Sequence, residues 1–141
     1  MARHVRYCQC MTKRKPVNLM HADLIVLHID DSPVEREWVQ LALRDAKIAW
    51  LGASDPVRGA RLARAHRVDV VLLDLHIPPL YGIEAYETLR ACGYSGPVVT
   101  YTGNTQLEIV EALHAEGVAV AVKGSTSPQG LIRLIEAASR E

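Results

Sequence analysis

The sequence has few cysteines, no net charge and no long apolar run, and each of these absences limits what the chain can be. Three unevenly spaced cysteines are too few for a disulfide framework, which favours a reducing, cytoplasmic location. No stretch reaches the roughly eighteen consecutive apolar residues of a membrane-spanning helix, and no signal-peptide-like run precedes residue 24. Sixteen basic residues balance 16 acidic ones, so no overall field draws the protein toward nucleic acid or anionic lipid. We expect a soluble protein without a membrane partner.

The charge is distributed unevenly, and this sets the first 22 residues apart. Residues 1–22 contain five basic residues and no acidic one, so the rest of the chain is mildly acidic. We interpret residues 1–22 as a basic, disordered N-terminal extension and residues 23–141 as one folded domain. Met20 is a candidate start of the natural protein, in which case folding does not need residues 1–19.

Five short apolar segments rich in Val, Ile, Leu and Ala recur along the folded part. Because they are continuously apolar rather than alternating, they are typical of strands that are covered on both faces of a parallel sheet. The predicted strands are residues 24–29, 48–53, 68–73, 97–101 and 118–122. Trp38 and Trp50 are expected to fill the core between the sheet and the helices.

Three helix starts are marked by a capping residue followed by proline: Ser32-Pro33, Asp55-Pro56 and Ser127-Pro128. Strand and then helix, repeated five times, predicts a doubly wound α/β domain. Its expected form is a flavodoxin-like (βα)5 sandwich, with a five-stranded parallel sheet in the order 2-1-3-4-5.

Polar side chains follow the predicted strands at the points where they end: Asp30-Asp31, Asp74, Thr102 and Lys123. In open α/β sheets, ligands bind beyond the carboxyl ends of the strands, where the strand order reverses. If the first and third strands are neighbours, three carboxylates meet there with a hydroxyl and an ammonium close by. Such a cluster needs positive charge, which Lys123 supplies only in part. A small oxygen-lined site of this kind suits Mg²⁺. Phosphate oxygens can complete the coordination shell of the ion.

The predicted chemistry is phosphoryl transfer to an aspartate. Asp74 would attack phosphorus, and Mg²⁺ held by Asp30, Asp31 and Asp74 would neutralise the equatorial oxygens. Thr102 and Lys123 would bind the remaining oxygens. An acidic pair at a strand end is by itself more often a turn or a helix cap, so the prediction depends on the convergence of all five side chains.

These residues give the chain a resemblance to the receiver domain of bacterial two-component response regulators, over roughly residues 24–139. In architecture it is most similar to the stand-alone, chemotaxis-type members. The resemblance is carried by Asp30-Asp31, by the segment 70–74 with Pro78 and Gly82 downstream, by the segment 97–103, and by Lys123.

The resemblance implies a role for each matched position. Asp74 corresponds to the phosphoacceptor, and Asp30 and Asp31 correspond to metal ligands that act together with it. The backbone carbonyl of His76 is expected to complete the Mg²⁺ site. Thr102 and Lys123 correspond to the residues that contact the phosphoryl group.

Two departures from the family pattern concern the switch rather than the phosphorylation chemistry. The family usually has proline after the lysine, often joined by a cis peptide, whereas this chain has Gly124. A cis bond before a residue other than proline costs about 3 kcal/mol, so Lys123-Gly124 is predicted to be trans, in a more mobile loop. The family's fifth strand usually carries Tyr or Phe, but residues 118–122 contain no aromatic. Output is therefore expected to depend on the loop after Thr102 and on the next helix.

Other functions remain open. A degenerate receiver would keep the fold as an interaction module that works without phosphorylation, and the two departures favour it. The three mutually repelling carboxylates argue against it, because a module that needs only shape has no physical reason to keep them. A phosphohydrolase of the haloacid dehalogenase type is a weaker alternative, since Asp30-Asp31-Ser32 lacks that family's Asp-x-Asp spacing. Flavin or dinucleotide binding is weaker still, because no Gly-rich phosphate loop follows a strand.

The chain ends soon after the predicted fifth helix, which leaves no room for a DNA-binding or enzymatic output domain. We therefore expect a single-domain regulator, not a turnover enzyme, that signals through a partner. The resemblance implies a sensor histidine kinase or a histidine phosphotransfer protein as phosphoryl donor. A downstream protein target, or a second copy in a homodimer, is expected on the face of the fourth helix, fifth strand and fifth helix, the α4-β5-α5 face.

Overall fold

The structure is a computed structural model in which residues 18–19, 22–103 and 106–141 are described. Within these residues, five strands alternate with five helices. The strands are β1 (Ile25–Ile29), β2 (Ala49–Ala53), β3 (Val70–Leu73), β4 (Val98–Thr102) and β5 (Ala119–Val122). The helices are α1 (Pro33–Asp45), α2 (Pro56–Ala65), α3 (Glu84–Ala91), α4 (Leu107–Ala115) and α5 (Pro128–Ser139). The predicted N-terminal extension lies outside the described residues, apart from positions 18, 19 and 22.

All five strands form one parallel sheet in the order β2-β1-β3-β4-β5, which confirms the predicted doubly wound α/β fold. One face packs on α1 and α5 through residues such as Leu43 and Leu131. The other face packs on α2, α3 and α4 through residues such as Leu89 and Leu113. Because both faces are covered, every residue of β1 and β3 is buried, which explains why both strands are apolar apart from His28 in β1. No helix in the described ranges is both long and apolar enough to cross a membrane.

The three predicted helix starts are confirmed by hydrogen bonds. The side-chain oxygens of Ser32, Asp55 and Ser127 accept from the backbone N–H groups of Glu35, Arg58 and Gly130, at 3.3, 2.9 and 3.0 Å. Each bond satisfies a donor that the first turn of a helix leaves open. As a result, α1 begins only a few residues after β1, and the two residues that follow β1 are confined to a short connection at the edge of the sheet.

The prediction that Trp38 fills the core is wrong. Its side chain is 37% exposed and stacks on the ring of Tyr101 in β4, with centroids 6.1 Å apart and planes at 13°. The buried stripe of α1 consists of Val39 and Leu43, and Trp38 lies beside this stripe rather than within it. Trp50 is on the edge strand β2, where it is half-buried against the α1 and α5 side of the core.

Candidate functional site

An open cleft of about 470 Å³ lies at the carboxyl edge of the sheet. Because β1 and β3 pair directly, the residues that follow these two strands meet in it. The ends of β4 and β5 complete the site on one side. All six predicted site residues are brought together here, since the cleft is lined by Asp30, Asp31, Ser32, Glu35, Asp74, His76, Thr102, Gly103 and Lys123.

Three carboxylates form the acidic part of the cleft. Asp30, Asp31 and Asp74 offer oxygen atoms that all lie within 4.8 Å of one another. Asp30 and Asp74 are buried, whereas Asp31 is exposed. The backbone N–H of Asp30 donates to the carbonyl of Ala53 at 3.0 Å, and that of Asp74 donates to the carbonyl of Ile29 at 2.9 Å. Sheet hydrogen bonding therefore continues past β1 and β3 and fixes both buried aspartates.

Asp30 is strongly stabilised as a carboxylate. Its Oδ1 accepts from the backbone N–H of Ser32 at 2.9 Å, and its Oδ2 accepts from Nζ of Lys123 at 3.0 Å. Burial raises the pKa of Asp30, but the neighbouring ring of His28 and the hydrogen bonds from Ser32 and Lys123 outweigh burial and lower it to about 2. Asp30 is therefore ionised at any pH near neutrality.

Asp74 is perturbed in the opposite direction. Burial and the negative charge of Asp30 raise the pKa of Asp74. The backbone N–H of His76, 3.2 Å from Oδ1, and Nζ of Lys123, 3.4 Å from Oδ2, offset part of this effect. A second negative charge beside Asp30 is thus unfavourable, and a bound cation would relieve the repulsion.

Lys123 and Thr102 come from the adjacent ends of β5 and β4. The backbone N–H of Lys123 donates to the carbonyl of Thr102 at 2.9 Å, which holds the two residues side by side. Burial lowers the pKa of Lys123, but its hydrogen bond to Asp30 and the charges of Asp74 and Asp30 raise it above its usual range. Thr102 is fully buried at the end of β4 and lines the cleft. The pocket thus pairs a permanent cation with a hydroxyl-bearing residue.

The loop after the lysine departs from the family pattern as expected. The Lys123-Gly124 bond is trans, which confirms the prediction, and in the described ranges the cis peptide is Pro78-Pro79. Gly124 has φ of +83°, in the left-handed region that favours glycine. β5 consists of Ala and Val alone. The aromatic ring beside Lys123 belongs to Tyr101 of β4, and its centre lies 5.5 Å from Nζ of the lysine.

Sequence reasoning missed a histidine behind the acidic cluster. His28 is fully buried in β1, and its Nε2 lies 3.6 Å from Oδ2 of Asp30. A signal was available, because residues two apart in a strand face the same side of the sheet. It was hidden because the segment was interpreted only as an apolar strand. Arg36, from α1, was also missed, and its Nη1 donates to the backbone carbonyl of Asp30 at 2.5 Å.

Comparison with known sequences identifies a family. Residues 26–136 match the response regulator receiver domain. The nitrate/nitrite response regulator NarL of Escherichia coli K12 is 32% identical over 117 residues, which are 81% of this chain and 54% of NarL. Protein-glutamate methylesterase/protein-glutamine glutaminase 3 of Hahella chejuensis is 31% identical over 110 residues, 74% of this chain and 30% of that protein. The chain spans about half of NarL and less of the methylesterase, so the activities of those whole proteins do not transfer to it.

Solved structures share the fold. The chemotaxis protein CheY4 of Vibrio cholerae is 25% identical with a TM-score of 0.70, over 83% of this chain and 99% of that chain. The receiver domain of sensor histidine kinase PA1611 from Pseudomonas aeruginosa PAO1, solved with a magnesium ion in its active site cleft, has a TM-score of 0.69. It is 23% identical over 85% of this chain and 100% of that chain, which establishes likeness of fold. Since the family match includes the whole acidic cleft and all of the sheet except its first residue, the chain belongs to the response regulator receiver domains of two-component signalling.

Proposed function

We propose that this chain is a response regulator switched by phosphorylation of Asp74 in a Mg²⁺-dependent pocket. The proposal is carried by the clustering of Asp30, Asp31 and Asp74 within 4.8 Å, with Lys123 in contact with two of them. Carboxylates this close repel one another strongly where water is partly excluded. A receiver that served only as a shaped surface would have no physical reason to hold the Asp74 carboxylate, whose pKa is raised, beside that of Asp30.

The donor set fits a magnesium ion. Asp30, Asp31 and Asp74 would supply carboxylate oxygens, and the backbone carbonyl of His76 is a further ligand in this proposal. The raised pKa of Asp74, which results from burial and from Asp30, reflects the repulsion that a divalent cation would remove. When bound, the ion supplies positive charge for the phosphoryl oxygens. The Pseudomonas receiver, which shares the fold, has a magnesium ion coordinated in its own active site cleft.

The side chains of this chain would perform the transfer. A carboxylate oxygen of Asp74 forms a bond to phosphorus, while the bond from phosphorus to the donor's histidine nitrogen breaks and the imidazole leaves with the electron pair. Lys123, with Nζ 3.4 Å from the Asp74 carboxylate, neutralises the incoming phosphoryl charge. The Thr102 hydroxyl donates to a phosphoryl oxygen. The product is an aspartyl phosphate on the chain itself, so the domain is a switch and not a turnover enzyme.

The signal passes through protein contacts. The phosphoryl donor is a sensor histidine kinase or a histidine phosphotransfer protein, and a cytoplasmic location belongs to the same proposal. The output is a downstream protein, or a second copy of the chain, bound at the α4-β5-α5 face. Leu107, the first residue of α4, is 67% exposed and is available for such a contact. Residues 23–141 form the receiver domain in this view.

A degenerate receiver that binds partners without phosphorylation is the second candidate. It is favoured by the composition of β5, which has no aromatic residue, and by Gly124 in place of the usual proline. Both features concern how a phosphorylated state would be read out. Neither alters the carboxylates or the lysine, so a phosphorylation assay distinguishes the two candidates.

Incubation with acetyl phosphate and Mg²⁺, followed by intact mass measurement, tests the proposal. We expect one phosphoryl group on the wild type, and none on Asp74→Asn or after chelation of the metal. Asp31→Asn should reduce labelling, because it removes a metal ligand and keeps the phosphoacceptor. Glu108→Gln, which changes an exposed acid on α4, is the matched control and should be labelled like the wild type. An unmodified wild type, beside another receiver that is labelled, would favour the degenerate module.

A further inference from the structure

His28 is a buried polar residue that the proposed reaction does not use. It lies in β1 with no exposed surface, and neither ring nitrogen has a partner at ordinary hydrogen-bond length among the described residues. Burying an imidazole without a partner is unfavourable. An aliphatic side chain, like the other four of β1, would avoid this cost. The position therefore points to a role beyond packing.

The ring of His28 faces the acidic cluster. Its Nε2 lies 3.6 Å from Oδ2 of Asp30, the oxygen that also accepts from Nζ of Lys123 at 3.0 Å. The other oxygen of Asp30 accepts from the backbone N–H of Ser32. The ring can carry its N–H on Nε2, the nitrogen that lies nearest to Asp30. In the Nε2–H tautomer, that N–H is directed at the carboxylate.

We propose that His28 is a positioning residue for the metal site: its Nε2–H donates to Oδ2 of Asp30 and keeps that carboxylate oriented. The inference rests on the proposed function. Nε2 of His28 and Oδ2 of Asp30 are 3.6 Å apart, and a small movement of either side chain toward the other would bring them to the ordinary N–H···O distance of about 2.9 Å. Outer donors of this kind fix the orientation of metal ligands in many proteins.

The role of His28 becomes larger when Asp74 is phosphorylated. Lys123 contacts Asp30 and Asp74 together, with Nζ at 3.0 and 3.4 Å. A phosphoryl group on Asp74 gives the ammonium additional charged acceptors, which draw it away from Asp30. His28 then remains as the side-chain donor to Oδ2, so the Asp30 carboxylate keeps its orientation in both states.

Calorimetric titration of the full chain with Mg²⁺ tests this role. His28→Val removes the donor and keeps a β-branched apolar residue in the strand, whereas His28→Gln retains an N–H donor of similar reach. Loss of an outer-shell donor typically weakens metal binding 10–100-fold, so we expect His28→Val to weaken Mg²⁺ affinity at least about tenfold. His28→Gln should recover most of the affinity. His114→Val, at an exposed position on α4, is the matched control and should bind like the wild type.

Histidine-selective ¹⁵N NMR of the wild type provides a readout that does not require a variant to fold. We expect the Nε2 nitrogen of His28 to carry a proton and its resonance to move when Mg²⁺ is added. An Nδ1–H tautomer, or a folded His28→Val variant with wild-type Mg²⁺ affinity, overturns the inference. If the wild type binds Mg²⁺ and is labelled while His28→Val is unaffected, only the positioning role fails. If the wild type neither binds Mg²⁺ nor accepts a phosphoryl group from acetyl phosphate, the proposed function is contradicted as well.

Discussion

At the scale of single residues, the pocket is defined by one cation shared unequally between two carboxylates. Lys123 donates its hydrogen bond to Asp30, and its contact with Asp74 is longer. The pKa values respond in opposite directions, since that of Asp30 falls to about 2 and that of Asp74 rises. Asp74 is therefore the less stabilised carboxylate, and a new bond at its oxygen disrupts fewer existing interactions than one at Asp30 would.

The opposite pKa shifts of Asp30 and Asp74 predict that substitutions at the two positions change the free energy of unfolding in opposite directions, in the metal-free protein at pH 7. The pKa of Asp74 is raised by folding, so its charge opposes folding above that pKa, and Asp74→Asn should be stabilising. The pKa of Asp30 is lowered from 3.8 to about 2, so its charge contributes about 2 kcal/mol at neutral pH, and Asp30→Asn should be destabilising. Urea unfolding in the presence of a chelator measures both free energies.

The pH dependence provides the internal control for this pair. The stabilisation by Asp30 is present above pH 3.8 and is lost as the pH falls toward 2. The advantage of Asp74→Asn should shrink on acidification, because the wild-type Asp74 then becomes protonated in the folded state. Equal unfolding free energies of Asp74→Asn and the wild type at pH 7 would contradict the interpretation of Asp74 as a destabilised charge.

At the scale of elements, the strands could be predicted because a doubly covered sheet imposes continuous apolar runs. The predicted third strand began at residue 68, whereas β3 begins at Val70. The reason is Asp69, whose carboxylate accepts a hydrogen bond from the backbone N–H of Ile25 at 2.8 Å. This contact joins a loop to a neighbouring strand, so no local pattern reveals it. Similarly, α3 and α4 have no side-chain hydrogen bond at their N-caps, and their starts carried no sequence signal.

The cap of α5 allows a prediction that separates stability from function. Ser127→Ala should lower the free energy of unfolding by about 1 kcal/mol, because it removes the acceptor for the N–H of Gly130. Mg²⁺ affinity should stay unchanged, since Ser127 does not line the cleft. Urea unfolding and Mg²⁺ titration measure the two quantities. Ser125→Ala, at an exposed position in the same loop, is the control, and equal stability of the two variants would exclude a contribution from the cap.

At the scale of the whole molecule, stacked rings connect the cleft to the surface of α1. Nζ of Lys123 lies 5.5 Å from the ring centre of Tyr101, and this ring stacks on Trp38 at 6.1 Å. The site aspartates could be predicted because strand order alone brings strand ends together. The ring contacts could not be predicted, because they depend on the conformations that side chains from β5, β4 and α1 adopt in the packed structure. For the same reason Trp38 was assigned to the core, although it is 37% exposed.

The connection predicts that phosphorylation of Asp74 changes the fluorescence of Trp38. Phosphoryl oxygens would draw the Lys123 ammonium away from Tyr101, which weakens a cation–π contact and alters the ring on which Trp38 stacks. The chain has two tryptophans, so Trp50→Phe isolates the signal of Trp38. Emission before and after treatment with acetyl phosphate and Mg²⁺ measures the change.

Two controls make this fluorescence experiment specific to the path through the rings. Trp38→Phe leaves Trp50, on the edge strand β2 at the far side of the sheet, and its emission should hardly change. Asp74→Asn in the Trp50→Phe background should show no change in Trp38 emission, because no phosphoryl group is present to attract Lys123. Phosphorylation that is proved by intact mass but leaves Trp38 emission constant would contradict this prediction. It would mean that Lys123 moves without affecting the rings of Tyr101 and Trp38, and that the signal leaves the cleft through the loop after Thr102.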